Sequence, residues 1–176
     1  MTERDTEGAL RWVVGIFEEL KIPYHITGGF AAKLYGAKRE LNDLDFEIPD
    51  ARLPEVFEKV KPFISDPLSS TTVRQSNSTW DLLNITVNFK GQDIDISGGS
   101  TAKIFNKNSK KWDPIVSDFE NVRRMKIYGL EVPVQNKVDL ITYKDKISYD
   151  EQKHQEDIVA IKKWKPVADF LKKMFA

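Results

Sequence analysis

The spacing of apolar residues predicts two helices and a short strand near the start of the chain. Over residues 6–21 the apolar side chains recur every three or four positions, which is the period of an amphipathic helix. Pro23 ends this helix, and the following stretch, YHIT, is a short strand candidate. The stretch FAAKLYG then combines good helix formers with a closing Gly36, so it predicts a second helix.

A regular alternation of apolar and acidic residues predicts a strand over residues 43–48. The apolar positions are Leu44, Phe46 and Ile48, and the acidic positions are Asp43, Asp45 and Glu47. Pro49 and Asp50 stop this strand. The apolar spacing over residues 53–63 predicts a further amphipathic helix.

The middle of the chain favours strands. The stretch TTVRQ is short and β-branched, and residues 81–89 and 92–97 alternate on either side of Lys90–Gly91, which predicts a β-hairpin. Residues 98–114 are polar and rich in glycine, so they predict a mobile loop.

The last third predicts one more hairpin followed by helices. Residues 122–134 turn at Tyr128–Gly129, and from residue 136 the pattern is helical in two pieces, with a break at Lys165–Pro166. The order of elements predicts an α+β (α/β) fold, a mixed β-sheet flanked by helices. We expect a core of residues 1–135 and a C-terminal helical segment, residues 136–176, packed on the same domain.

The composition bears on three properties of the protein: nucleic-acid binding, cysteine chemistry and membrane insertion. The 176 residues carry 27 basic and 27 acidic side chains, so no overall positive field indicates a nucleic-acid partner. Cysteine is absent, which excludes disulfides and thiolate metal sites and is typical of a reducing compartment. No signal peptide and no long apolar run is recognisable, so the sequence predicts a cytoplasmic protein without a membrane partner.

The paired aspartates are the main chemical candidates. Asp43 and Asp45 are two apart on a predicted strand and therefore share one face. Like charges held close disfavour ionisation, and a divalent cation such as Mg²⁺ relieves that cost by binding carboxylate oxygens. A third ligand is available from Asp93 or Asp95 on the predicted hairpin. The alternative is an ordinary solvated face, because this short pattern is common at strand ends.

The glycine pair strengthens the metal interpretation. Gly28 and Gly29 stand between a predicted strand and a predicted helix. Glycine allows the backbone to come close to a phosphate, and a helix N-terminus offers free amide groups to it. A strand, a glycine pair, a helix and then a two-aspartate strand together indicate a site for a metal-bound phosphate.

This combination resembles the nucleotidyltransferase superfamily that includes DNA polymerase beta. The matching segments are Thr27-Gly28-Gly29 and Asp43-Leu44-Asp45-Phe46, and Asp95 between two isoleucines matches the third carboxylate of that family better than Asp93. Thr27 departs from the usual apolar residue. The likeness is greatest to small lincosamide-type, antibiotic-modifying and minimal nucleotidyltransferases, and it extends along most of the chain.

The resemblance also covers Arg39 and the C-terminal region. In similar proteins a proline precedes a helix with leucine and lysine and then a Lys-Asp-x-x-Asp run. Leu140, Lys144 and, later, Lys153 and Asp157 fit this arrangement. A histidine, residue 154, stands where an aspartate is usual, which leaves the role of this segment open.

The resemblance implies a metal-dependent enzyme that transfers a nucleoside monophosphate from a nucleoside triphosphate, such as ATP, to a hydroxyl group and releases pyrophosphate. Asp43 and Asp45 would hold two Mg²⁺ ions, or Mn²⁺, and Asp95 would bind the second ion and act as general base. Gly28 and Gly29 would hold the phosphates through backbone amides.

Two further residues and the acceptor each have more than one interpretation. Arg39 and Lys144 are nucleotide-binding candidates, but Arg39 could instead pair with Glu40, Asp43 or Glu47, and Lys144 could be an ordinary helix-surface lysine. We expect an antibiotic-like small molecule as the acceptor. The alternatives are a toxin-type enzyme that modifies tRNA or protein, and a catalytically silent nucleotide-binding protein. A homodimer is plausible for so short a chain.

Overall fold

The computed structural model describes residues 4–107, 109–147 and 151–166. Within them the helices are α1 Thr6–Glu19, α2 Gly28–Leu34, α3 Leu53–Val60, α4 Lys137–Ile147 and α5 Gln152–Lys163. The strands are β1 His25–Ile26, β2 Asp43–Ile48, β3 Ser70–Ser76, β4 Trp80–Phe89, β5 Gln92–Gly98, β6 Lys103–Asn106, β7 Lys111–Pro114, β8 Val122–Ile127 and β9 Leu130–Gln135. No helix among these residues is long and apolar enough to cross a bilayer.

The strands form one mixed sheet in the order β7-β6-β4-β5-β2-β1-β9-β8, and β3 pairs with β4. The pairs β2–β5 and β1–β9 are parallel, and the other pairs are antiparallel. The α+β prediction is therefore confirmed. The parallel pairing of β2 with β5 matters most, because it brings the two acidic strands side by side.

The alternation in β2 separates the core from the acidic face of the sheet. Leu44, Phe46 and Ile48 are fully buried on one side. The ring of Phe46 lies 5.5 Å from that of Phe17 on α1, so α1 covers this side. Each such side chain contributes about 1.5–3 kcal/mol on burial, which fixes the register of β2 and so the direction in which its aspartates point.

Helix α2 links the core to the C-terminal helices, since the ring of its Phe30 lies 6.4 Å from that of Phe46 on the core face. Helix α2 follows β1 directly and contacts α4 and α5. Asn136 begins α4, since its side-chain oxygen accepts hydrogen bonds from the backbone amides of Val138 and Asp139. The C-terminal helices therefore lie beside the glycine pair. The boundary between residues 1–135 and 136–176 stays a prediction.

The prediction of a loop over residues 98–114 is wrong, because β6 and β7 form a hairpin there. Its strands are short and mostly polar, so periodicity does not reveal them. The hairpin is held by long-range contacts instead. Ile104 is buried and pairs with Trp80 at the start of β4, and the rings of Phe105 and Trp112 meet across the two strands.

Three helix ends also differ from the prediction. Helix α1 stops at Glu19, and the helix predicted over residues 53–63 becomes a 3₁₀ turn at Lys61–Phe63. Pro62 explains the second change, because proline removes the amide that would continue the α-helix. Helix α5 ends at Lys163, ahead of the predicted break at Lys165–Pro166, and Glu151 just before it is not helical. The helical piece predicted after that break lies outside the described residues.

Candidate active site

The register of β2 on β5 brings three carboxylates together. Asp45 lies opposite Asp95 in the parallel pair, and Asp43 lies opposite Asp93. One carboxylate oxygen from each of Asp43, Asp45 and Asp95 lies within 4.8 Å of the other two. The more exposed Asp93 carboxylate accepts a hydrogen bond from Asn88 instead and is outside this cluster. The structure therefore selects Asp95 over Asp93 as the third member.

The carboxylate of Asp45, on strand β2, lies against the first backbone amides of helix α2. Its Oδ2 accepts hydrogen bonds from the backbone amides of Gly29 at 2.8 Å and Phe30 at 3.4 Å. Despite these donors, burial and the neighbouring Asp43 and Asp95 charges raise the pKa of Asp45 to about 7. The folded protein therefore disfavours the charged form of Asp45.

Asp95 is oriented by strand β4. Thr86 donates its hydroxyl proton to Asp95 Oδ1, and Asn84 Nδ2 donates to the same oxygen at 3.3 Å. Burial raises the pKa of Asp95, and these hydrogen bonds oppose the change. The second oxygen of Asp95, Oδ2, receives no hydrogen bond from the described residues, so it is available to a ligand.

The cluster fits a divalent cation. In the part of the chain that the structure describes, no lysine or arginine forms an ion pair with any of the three aspartates. Three hard oxygen donors on adjacent strands, partly buried and mutually repelling, are the ligand set that Mg²⁺ or Mn²⁺ favours. A bound cation would remove the electrostatic cost that the raised pKa of Asp45 reports.

The two glycines allow two side chains to approach the start of α2. Gly28 has a φ of +59°, and a Cβ on it would lie 2.3 Å from Asp45 Oδ2. A Cβ on Gly29 would lie 2.2 Å from Arg39 Nη2. The side chain of Asp45 therefore needs a residue without a Cβ at position 28, and the side chain of Arg39 needs one at position 29. The phosphate-binding role of the pair stays a prediction, and the Gly29 amide already donates to Asp45.

Arg39 and Lys144 share one carboxylate. Lys144 Nζ lies 2.8 Å from Asp157 Oδ2, and both side chains are 1% exposed. Arg39 Nε lies 3.1 Å from both oxygens of Asp157. The alternative that Lys144 is a surface residue is therefore wrong, and Arg39 pairs with Asp157 rather than with the expected acidic neighbours. Two cations for one anion leave a net positive charge beside the aspartates.

A basic pocket opens on one side of the cluster, with a volume of about 390 Å³. Its floor includes both glycines, Asp43 and Asp45. Its basic side chains are Arg39, Lys107, Lys144 and Lys153. Desolvation lowers the pKa of Lys144, although Asp157 opposes the change. Glu151 also lines the pocket and pairs with Lys153 at 2.7 Å. The remaining positive charge beside two carboxylates that could hold a metal suits a polyphosphate.

A second cavity, the amide-lined pocket, opens on the other side and has a volume of about 230 Å³. It includes Asp45 and Asp95 but not Asp43. Its neutral hydrogen-bonding side chains include Gln75, Asn77, Asn84 and Ser97, and its charged side chains include Glu47 and Lys103. Asp45 is thus common to both pockets, and Asp95 belongs to this one.

Trp80 and Tyr143 line both pockets. Their ring centroids are 5.4 Å apart with a tilt of 31°. Desolvation, followed by the charges of Asp45 and Glu47, raises the pKa of Tyr143 well above its ordinary value, so its hydroxyl stays protonated. This aromatic pair separates the basic side of the site from the amide side.

Sequence reasoning missed Tyr143, Glu47 and the partner of Arg39. Asp157 belonged to the recognised C-terminal pattern, but nothing local assigns it to Arg39, 118 residues earlier. Glu47 continues the alternation of Asp43 and Asp45, and that period was a usable signal for a third acidic side chain on the same face.

Solved structures of nucleotidyltransferases superpose on this chain at low sequence identity. A provisionally assigned nucleotidyltransferase from Thermotoga maritima superposes with a TM-score of 0.64 at 18% identity, over 85% of this chain and 91% of that one. The lincosamide antibiotic adenylyltransferase LnuA, bound to lincomycin, gives a TM-score of 0.57 at 14% identity, over 92% and 99%. The chain has a nucleotidyltransferase-type fold.

A third solved structure agrees with this fold. ANT(2″)-Ia in complex with adenylyl-2″-tobramycin gives 0.55 at 16% identity, over 89% of this chain and 88% of that one. No protein-family model matches the sequence, and no curated protein matches it. The nucleotidyltransferase fold predicted from the glycine pair and the carboxylate strand is confirmed.

Proposed function

We propose that this protein transfers a nucleoside monophosphate from a nucleoside triphosphate to the hydroxyl group of a small, antibiotic-like acceptor. The observation that carries the proposal is the cluster of Asp43, Asp45 and Asp95, within 4.8 Å and without an ion-paired cation in the described residues. It lies between a basic pocket and an amide-lined pocket. The nucleotidyltransferase fold supports the same chemistry.

Asp43 and Asp45 would hold the Mg²⁺ ions, or Mn²⁺, and Asp95 would share the ion on the acceptor side. Bound metal supplies charge neutralisation for the phosphates and a lower pKa for the acceptor hydroxyl. Arg39 and Lys144 would attract the triphosphate into the basic pocket. Gly28 would keep the approach to Asp45 open, since any side chain there meets its carboxylate.

In the reaction, the acceptor oxygen forms a bond to the α-phosphorus. The bond from the α-phosphorus to the bridging oxygen breaks, and pyrophosphate leaves with that electron pair. Asp95 takes the hydroxyl proton, since its Oδ2 is free of hydrogen bonds from the described residues while Thr86 and Asn84 hold Oδ1. Charge neutralisation and positioning supply most of the rate in such transfers.

The experiment is incubation of the purified protein with Mg²⁺ and each of four α-labelled ribonucleoside triphosphates. The acceptors are lincomycin, tobramycin, bulk tRNA and the protein itself. Transfer from ATP to a small molecule, abolished in Asp45→Asn, would support the proposal. Label on tRNA or on the protein would favour the toxin-type alternative. Triphosphate binding without any transfer would favour the silent alternative, and the absence of both would contradict the proposal.

The remaining features of the proposal are a cytoplasmic location and a homodimer. Sedimentation velocity at several protein concentrations tests the oligomeric state. A monomer throughout the range would contradict the dimer without affecting the proposed chemistry.

A further inference from the structure

Glu47 is an acidic side chain next to the carboxylate cluster that the proposed reaction does not use. It stands two residues beyond Asp45 on β2 and points to the same face of the sheet. Its side chain is 13% exposed, and that exposure lies in the amide-lined pocket. Strand geometry sets Glu47 about 7 Å along the sheet from Asp45.

The Glu47 carboxylate is held in place from one side only. His25, directly opposite on β1, has its Nε2 at 2.7 Å from Glu47 Oε2. Ser117 donates its hydroxyl proton to the same oxygen. The other oxygen, Oε1, receives no hydrogen bond from the described residues and is not among the fully buried atoms without a partner. One oxygen is thus anchored, and the other is open to the pocket.

The two residues that hold Glu47 Oε2, His25 and Ser117, are themselves fixed by packing and a backbone hydrogen bond. His25 is 1% exposed, and its ring stacks on Phe119 at 5.2 Å. The backbone amide of Ser117 donates to the carbonyl of Gly99 at 2.8 Å, which ties this segment to the end of β5. A carboxylate oriented by two donors on a supported segment loses little freedom when it binds a third group, and this favours recognition.

We propose that Glu47 is a specificity-determining residue of the acceptor site, where its Oε1 accepts a hydrogen bond from an N–H or O–H group of the acceptor. This inference rests on the proposed transfer reaction. Asp95 lies opposite Asp45 on the neighbouring strand, so it is related to Glu47 by a diagonal of about 7–8 Å. The acceptor then carries two polar groups at about that separation, the reacting hydroxyl at Asp95 and a hydrogen-bond donor at Glu47.

The size of the pocket sets a second condition on the acceptor. A volume of about 230 Å³ is below the range of about 300–1,000 Å³ that encloses drug-sized ligands. The part of the acceptor that enters is therefore compact, and a larger molecule would extend out of the pocket. Asn84 and Gln75 offer further neutral hydrogen bonds there, which suits a polar rather than an apolar group.

A series of ω-amino alcohols with two to six carbons tests the spacing. Each has one hydroxyl to receive the label and one ammonium to meet Glu47. We expect the KM for the wild-type chain to be lowest at about five carbons, the chain length that spans the diagonal from Asp95 to Glu47. The corresponding 1-alkanols, which lack the ammonium, should show no such minimum.

The variant Glu47→Gln tests the residue. Its amide oxygen can still accept from His25 and Ser117, but it presents an NH₂ group to the pocket. We expect KM for the best amino alcohol to rise about 10- to 100-fold, the loss typical of a hydrogen bond to a charged group, with a much smaller change in kcat. Ser117→Ala should give a smaller rise. Glu131→Gln, an exposed strand position outside both pockets, is the matched control.

Calorimetric binding of Mg²⁺ and ATP to each variant separates the two proposals. If the wild-type chain binds ATP with Mg²⁺ but transfers to no amino alcohol, or shows no length optimum, the inference about Glu47 is wrong. The same holds if Glu47→Gln keeps the wild-type KM. If the wild-type chain does not bind ATP with Mg²⁺, the proposed function itself fails.

Discussion

Asp45→Asn should stabilise the metal-free protein while it abolishes nucleotidyl transfer. The carboxylate of Asp45 is held near two other carboxylates, and its pKa is raised from an ordinary 3.8 to about 7. A folded state with a raised carboxyl pKa binds a proton more tightly than the unfolded state does. Its stability is therefore greatest below the ordinary value and falls as the pH rises through about 7.

The magnitude follows from the two pKa values. The difference between 3.8 and about 7, at about 1.4 kcal/mol for each tenfold change in proton affinity, gives an upper limit of about 4 kcal/mol at pH 8. The side chain is partly exposed to the pockets, so solvent screening reduces the expected effect to about 1–2 kcal/mol. Asparagine removes this cost and can still accept the hydrogen bond from the Gly29 amide.

Urea denaturation in EDTA at pH 5, 6, 7 and 8 measures this effect. The advantage of Asp45→Asn over the wild-type chain should grow with pH through this range. Millimolar Mg²⁺ should stabilise the wild-type chain and not the variant. Asp93→Asn is the control, because Asp93 is exposed on the same sheet and outside the cluster; its effect should stay within about 0.5 kcal/mol. A variant less stable than the wild-type chain at pH 8 in EDTA would refute the reasoning.

Three further substitutions test other parts of the structure. Asp157→Asn leaves Lys144 buried without a full charge partner and should cost about 3–5 kcal/mol in urea denaturation; a change below about 1 kcal/mol would contradict the buried ion pair. Gly29→Ala should displace Arg39 and weaken calorimetric binding of ATP with Mg²⁺, and unchanged affinity would count against that contact. Gly15→Ala, at an exposed position inside α1 with open space around it, should raise stability by up to about 1 kcal/mol, and any loss would argue against the helix.

Local periodicity predicted the elements that carry the site. The alternation around Asp43 and Asp45 defined β2, because one buried face fixes a strand's register. The hairpin turns at Lys90–Gly91 and Tyr128–Gly129 were also predicted, and all four residues have positive φ. The hairpin of β6 and β7 was not predicted, since the contact of Ile104 with Trp80 decides it rather than any local pattern.

In the site, too, residue spacing predicted some contacts, while others depend on how distant segments pack together. That Asp43 and Asp45 share a face follows from their spacing alone. Asp95 lies beside Asp45 because β2 and β5 pair in parallel with that register. The sequence pattern predicted only the hairpin of β4 and β5, and a hairpin does not determine how β5 pairs with β2. The pairing of Arg39 with Asp157 depends on how α5 packs against α2, so it became evident only in the folded chain.

Asp157 explains how three carboxylates and two nearby cations can coexist without neutralising each other. Arg39 lies close to Gly29, whose amide donates to Asp45, so the guanidinium is near the cluster. Asp157 holds Arg39 and Lys144 by ion pairs at 3.1 and 2.8 Å. Asp157 thus competes with Asp43 and Asp45 for both cations, since opposite charges at short range attract strongly in a partly buried site. The three clustered carboxylates thus have no ion pair among the described residues, and helix α5 supplies the competing anion.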